Sequence, residues 1–233
     1  MAGFSRKQLK SKDAFVTELG EQVAFFASHR NQVVLVAALA VAGLLGGISY
    51  KQWQERRSAE ARAALHAAVR LFHGSVTTEN RPGFVTYTTS GERYRRSGEA
   101  LQGILDEYGG RDQAGAAEYY LALLDIEQDK KDEAKGRLNS AVDKSDGEYE
   151  SLARLSLADL LSRTGDTSGA EAEYQQLIDN PTNVVPASRA KLSLARHLAK
   201  TDTAAARTLL EELMAEPGPL SVAASTTLRR LGS

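Results

Sequence analysis

The sequence predicts an all-α chain, in which an N-terminal single transmembrane helix is followed by an α-solenoid of helix pairs. Three observations lead there. Residues 33–50, VVLVAALAVAGLLGGISY, hold no charged side chain in a chain that is 25 % charged. Downstream, apolar residues recur at i, i+3, i+4 spacing in stretches of about 13 residues, the period of amphipathic helices. Those stretches come in pairs that repeat at a step of 36 residues, the mark of stacked supersecondary units.

The first element is a tail, residues 1–32, expected on the cytoplasmic side. It carries Arg6, Lys7, Lys10, Lys12 and Arg30 against Asp13, Glu18 and Glu21, a balance of +2. Phe15, Val16, Leu19, Val23 and Phe26 fall within an arc of about 120° when wound as a helix, and Asp13 stands where an N-cap belongs. The tail therefore predicts a short amphipathic helix on a membrane surface, with Lys7, Lys10 and Lys12 near lipid phosphates.

The apolar run, residues 33–50, is the second element. Eighteen residues at about 1.5 Å each span roughly the hydrocarbon thickness of a bilayer. Tyr50 and Trp53 follow it, where amphipathic rings favour the headgroup zone. A cleaved signal peptide would need a shorter basic region and a small-residue cleavage site, and neither is present. A buried core helix would leave Arg30, Arg56 and Arg57 hard to place. The reading is a single-pass anchor. Gly43 and Gly47 form a GxxxG pair, and Ala38, Ala42 and Gly46 make a second row beside it. Such rows let helices approach closely in lipid, so Ala42, Gly43, Gly46 and Gly47 are the candidate helix-packing residues, toward a second copy in a homo-oligomer or toward another protein. Flanking charge does not fix orientation: residues 51–70 carry five cations against two carboxylates, +3, and counted close to the run the inside-positive rule leans toward a cytoplasmic C-terminal side.

Residues 51–73 are expected to form a juxtamembrane helix, residues 74–91 a long loop, and residues 92–233 the repeat domain with a capping helix at Leu220–Leu231. Residues 92–110 look like the second helix of an early pair whose partner runs from Ser58 to Phe72. Three further pairs start near Ala116, Ser151 and Ser188. Ala134, Ala170 and Ala206 stand 36 apart, as do Leu138, Tyr174 and Leu210, and Ala141, Leu177 and Leu213. Ala122, Ala158 and Ala195 mark the first helices. Alanine recurs where two helices cross too closely for a larger side chain. Turns fall at Asp129-Lys130-Lys131, Thr164-Gly165-Asp166 and Thr201-Asp202, and Pro181 and Pro217 close the last two units.

This spacing of alanines, of a leucine or aromatic and of a terminal proline resembles the tetratricopeptide repeat over residues 116–217. The tryptophan usual near the fourth position is absent, and the step exceeds the usual 34 residues. The entire layout, carried by FFASHRNQVVLVAALAVAGLLGGISYKQWQERR and ARAALHAAVRLF, resembles the bacterial YfgM-like ancillary subunits of the SecYEG translocon. That resemblance implies an inner-membrane anchor with its N-terminus cytoplasmic, a periplasmic repeat domain, translocon subunits and periplasmic chaperones as partners, and no catalysis. A long C-terminal domain can translocate despite basic residues beside its helix.

No feature of the sequence points to chemistry, so no catalytic residue, metal or cofactor is expected. Cysteine is absent, which removes disulfides and thiolate sites. His66 and His73 share a helix but belong to no HExxH pattern, and neither a phosphate loop nor a G-x-S-x-G elbow occurs. Residues 71–233 sum to −6, which argues against nucleic acid as a partner. Function is expected in protein binding along the groove lined by the first helix of each pair. The candidate groove residues are Tyr119, Leu123, Leu155, Asp159, Leu192 and Arg196. The leading expectation is a membrane-anchored scaffold near the translocon; the alternative is a structural or regulatory adaptor of envelope assembly or division.

Overall fold

The structure, a computed structural model, describes residues 30–79, 82–110, 113–215 and 218–232. The amphipathic helix expected over Phe15–Phe26 lies outside the described residues, as does Pro217. The chain divides into two compact units, Met1–Arg57 and Ser58–Ser233.

The described part of the first unit belongs to helix α1, Arg30–Phe72. Val34, Leu35, Leu39, Leu44, Leu45 and Ile48 are between 56 and 67 % exposed. A Cβ added at Gly43, Gly46 or Gly47 would meet no atom within 4 Å. Tyr50 and Trp53 stack at 6.0 Å, and the Arg57 guanidinium lies 5.9 Å from the Trp53 ring. Among the described residues no helix is long and apolar enough to cross a membrane. The side chains of Val33, Val36, Ala37, Ala40 and Val41, five of the eighteen in the run, lie outside the described set.

The second unit begins at Ser58 rather than at residue 92, for a packing reason. Ala61, Leu65, Ala68 and Phe72 of α1 share a buried cluster with Leu101, Ile104 and Tyr108 of α2, Ser90–Tyr108. Ala116, Ala117, Leu121 and Leu124 of α3, Gln113–Glu127, complete it. The helical stretch from Ser58 to Phe72 is thus the first helix of the first pair, as its expected pairing with residues 92–110 required. The connection after it is more ordered than the plain loop expected. Two short parallel strands, β1 (Ser75–Val76) and β2 (Thr86–Tyr87), pair Ser75 with Thr86 and Val76 with Tyr87. Tyr87 is buried and its hydroxyl donates to the Leu71 carbonyl at 2.9 Å. Any Cβ at position 74 would overlap that ring, so Gly74 is needed for the close approach. Thr89 then caps α2, its hydroxyl oxygen accepting from the Glu92 N–H at 3.1 Å. Glu92 reaches back to accept from the Thr88 N–H at 3.3 Å, and these bonds hold its carboxyl below the usual range.

Three more pairs follow: α3 with α4 (Lys131–Lys144), α5 (Gly147–Thr164) with α6 (Thr167–Asp179), and α7 (Ala187–Leu198) with α8 (Thr203–Ala215). The 36-residue register holds in space. Ala122, Ala158 and Ala195 on the first helices, and Ala134, Ala170 and Ala206 on the second, all have no exposure. Leu138, Tyr174 and Leu210 are buried beside them, with Ala141, Leu177 and Leu213 one turn on. Two of the three turns within these pairs end the helix by a left-handed residue: Gly165 at φ +90° and, where the first pair of this set lacks glycine, Asp129 at φ +59°. Asp166 and Asp202 then cap the next helix, accepting from the Gly169 and Ala205 N–H groups at 3.1 and 3.0 Å. Helix α9, Pro219–Leu231, lays Ala224 against Leu192, Ala195, Leu210 and Leu213 and closes the stack, as a terminal cap must.

Candidate protein-binding face

In the second unit α3 touches α5, α5 touches α7, and α7 touches α9. The first helices of successive pairs therefore lie side by side and form one face. Its early part is aromatic. Tyr119 and Tyr120 of α3, Tyr149 of α5, and Phe72 and His73 at the end of α1 make one cluster. Ring centroids are 5.2 Å apart for Phe72–Tyr120 and Tyr119–Tyr120, and 6.2 Å for His73–Tyr120, Tyr119–Tyr149 and Tyr120–Tyr149. The three tyrosines are half-buried, so each keeps part of its ring at the surface while its neighbours restrict the rotamer. Burial pushes the hydroxyls of Tyr119 and Tyr120 above the ordinary tyrosine value, and for Tyr120 the neighbouring Tyr149 adds to it. They stay neutral donors across the physiological range. Rigid, partly exposed tyrosines are the residue type that concentrates binding energy in protein interfaces. A cavity of about 240 Å³ lined by Leu65, His66, Ala116 and Tyr149 adjoins the cluster.

Farther along, a cleft of about 460 Å³ opens between α5 and α7 with α6 beneath it. The Tyr174 hydroxyl donates to Asp159 Oδ1 at 2.6 Å. Burial, with that carboxylate beside it, raises the Tyr174 pKa strongly. Ser162 Oγ and His197 Nδ1 are 2.7 Å apart. Nε2 of the buried His197 sits 3.7 Å from Glu171 Oε1.

The sequence-based candidates divide on this face. Tyr119 joins the aromatic cluster, and Leu123 packs half-buried beside the first core. Asp159 and Arg196 are exposed and line the same cleft. Leu155 and Leu192, each 5 % exposed, are a correction: they pack inward, in the central core and in the core beneath α9 respectively, and offer a partner almost no surface. A first helix is covered on more than one side, so equal steps along the chain do not mean equal exposure. Ala42, Gly43, Gly46 and Gly47 are exposed on α1, in the other unit.

Tyr120, Tyr149, Phe72 and His73 were not among those candidates. Their only signal was density, since three of the eight tyrosines fall between residues 119 and 149. Also unforeseen was buried Glu118, which accepts from Arg137 Nη1 at 3.1 Å, Ser140 Oγ at 3.1 Å and Lys144 Nζ at 3.0 Å. Arg137 Nε bridges on to Asp125 at 2.9 Å. This network ties α3 to α4. Its carboxylates are satisfied by two cations and one hydroxyl of the neighbouring helix. Among the described residues no group of three or more His, Cys, Asp or Glu is placed to hold a metal ion.

No curated protein and no solved structure matches the chain. A family profile described as tetratricopeptide repeat-like domain matches residues 23–173, from ahead of the apolar run to within α6. With most of its length inside that match and its helix pairs in register, the chain belongs to the tetratricopeptide repeat-like domain family.

Proposed function

We propose that the protein is a membrane-anchored, protein-binding scaffold of the bacterial envelope. The apolar run of α1 is the anchor in the inner membrane, the N-terminal tail is cytoplasmic, and the repeat unit stands in the periplasm. There the first-helix face engages other proteins in the neighbourhood of the translocon and of periplasmic chaperones. Binding other proteins is the general business of tetratricopeptide-like repeats. The single observation that carries the anchored reading is the set of apolar side chains at Val34, Leu35, Leu39, Leu44, Leu45 and Ile48, all more than half exposed. Leaving such surface in water is costly at about 25 cal/mol per Å², and a bilayer removes that cost. The family match begins at residue 23 and so takes in the uncharged run together with the repeats. The cytoplasmic tail and translocon neighbourhood draw on the resemblance of layout to the YfgM-like proteins. Ala42, Gly43, Gly46 and Gly47 are proposed to pack against another membrane helix, of a second copy or of a partner.

A photo-crosslinking residue placed at Tyr120 in living cells tests the reading. Crosslinks to translocon subunits or periplasmic chaperones are expected. Crosslinks confined to division or cell-wall proteins would instead support an adaptor of envelope assembly, and a silent face at Tyr120 and Tyr149 alike would defeat both.

A further inference from the structure

Granting a protein-binding first-helix face, the charges on its later part narrow the partner's chemistry. Residues 71–233 sum to −6, and Glu60, Arg62 and Arg70 bring the Ser58–Ser233 unit to −5. On this acidic body the α5–α7 cleft is locally basic: Arg163, Arg196 and Lys200 line it against one carboxylate, Asp159. Asp159 is already engaged by the Tyr174 hydroxyl. Several cations elsewhere on the repeats are paired within the fold, Arg137 and Lys144 with Glu118, Arg154 with Glu150 and Glu173, Lys191 with Glu212. Among the described residues the Arg163 side chain donates only to the Asp159 backbone carbonyl, at 3.2 Å. The Arg196 and Lys200 side chains make no hydrogen bond or ion pair among the described residues. Arg196 also lines the next recess, about 480 Å³ between α7 and α9, where Arg230 joins it. The two recesses share Arg196 and together make a basic groove.

We propose that this groove receives an acidic, extended segment of a partner polypeptide, its carboxylates meeting Arg163, Arg196 and Lys200. Guanidinium groups pair carboxylates in bidentate fashion, and cations held unpaired at a recess steer an anionic chain toward it. An anionic bilayer is flat, whereas these side chains line recesses between helices, which suits a chain segment.

The test uses the full chain in phosphatidylcholine nanodiscs and a fluorescein-labelled peptide of alternating Glu and Ser, followed by fluorescence anisotropy. The peptide should bind, weaken as salt rises, and lose roughly tenfold in affinity with Arg196→Glu and Lys200→Glu together, as expected for charge pairs at an interface. A peptide of alternating Lys and Ser should not bind. Both substituted side chains are exposed, an unchanged melting curve certifies the fold, and the Gln pair at the same positions is the gentler control. An acidic peptide that fails to bind, or binds the reversed protein equally, overturns the proposal. So does flotation with phosphatidylglycerol vesicles that depends on Arg196 and Lys200 in the absence of peptide binding, which would assign the groove to lipid. In either case crosslinks at Tyr120 would leave the protein-binding face standing, and their absence would remove it too.

Discussion

Ala38 and Ala170 are the same residue in the same secondary structure, yet Ala38 is exposed and Ala170 has no exposure at all. The contrast extends to their surroundings. Around Ala38 the large neighbours Leu35 and Leu39 face open space; around Ala170, Leu138, Tyr174 and Leu177 close the crossing. Residue type does not decide this. In the repeats the apolar stripes of neighbouring helices share buried clusters. In residues 34–48 the described large apolar side chains, Val34, Leu35, Leu39, Leu44, Leu45 and Ile48, are all more than half exposed among the described residues. An all-round apolar helix belongs inside a core or a membrane, which is the ground for the anchor proposed above.

The largest expected effect breaks the exposed region alone. Leu39→Arg with Leu44→Arg puts two charges into the run, each costing about 2.5–3.5 kcal/mol at the centre of a membrane helix. Fractionation should find the variant outside the membrane while the melting curve of its repeats is unchanged; retention in the membrane would show that the exposed apolar surface is not the anchor. The reciprocal change acts only in the repeats. Ala170→Leu overpacks the crossing by about 1–3 kcal/mol, which should lower the melting temperature without touching membrane association. An unaltered melting temperature would mean that the crossing is looser than its burial implies. Smaller again, Thr89→Ala removes the cap of α2 and should cost about 1 kcal/mol in chemical denaturation.

The smallest effect is one of pH. The hydroxyls of Tyr119, Tyr120 and Tyr174 have folded-state pKa values above the unfolded value, burial being the first cause. The folded state therefore holds protons that the unfolded state releases, so their contribution is complete below about pH 10 and is lost as pH rises through the folded-state values. The melting temperature should fall above pH 10, and Tyr120→Phe should make that fall shallower. Equal slopes in the two proteins would show that Tyr120 is not effectively buried by its neighbours.

The repeat register was legible because it is a packing rule written into spacing: alanine at a crossing recurs wherever the crossing recurs. Helix ends were legible through Gly165, Asp166 and Asp202, whose chemistry is local. The role of residues 58–72 was only half legible. Continuity with the apolar run drew them toward the membrane segment, while the contacts that place them in the repeats come from Leu101 and Ile104, some thirty-five residues on. The β1–β2 pair and the bonds to Glu118 depend on partners 11 and 19 or more residues away with no periodic signal. The candidate groove residues do lie on first helices, but they do not all share one exposed side of them. Asp159 and Arg196 reach a shared cleft, whereas Leu155 and Leu192 turn into the core.

The central claim, that the exposed run of α1 crosses the inner membrane and carries the repeats to its far side, is tested most directly by topology. Alkaline phosphatase, active only outside the cytoplasm, is fused after Ser233 and, separately, after Asn31. Activity at Ser233 and none at Asn31 is the predicted result. Activity at neither, or only at Asn31, would contradict a periplasmic repeat unit and return the search for partners to the cytoplasm.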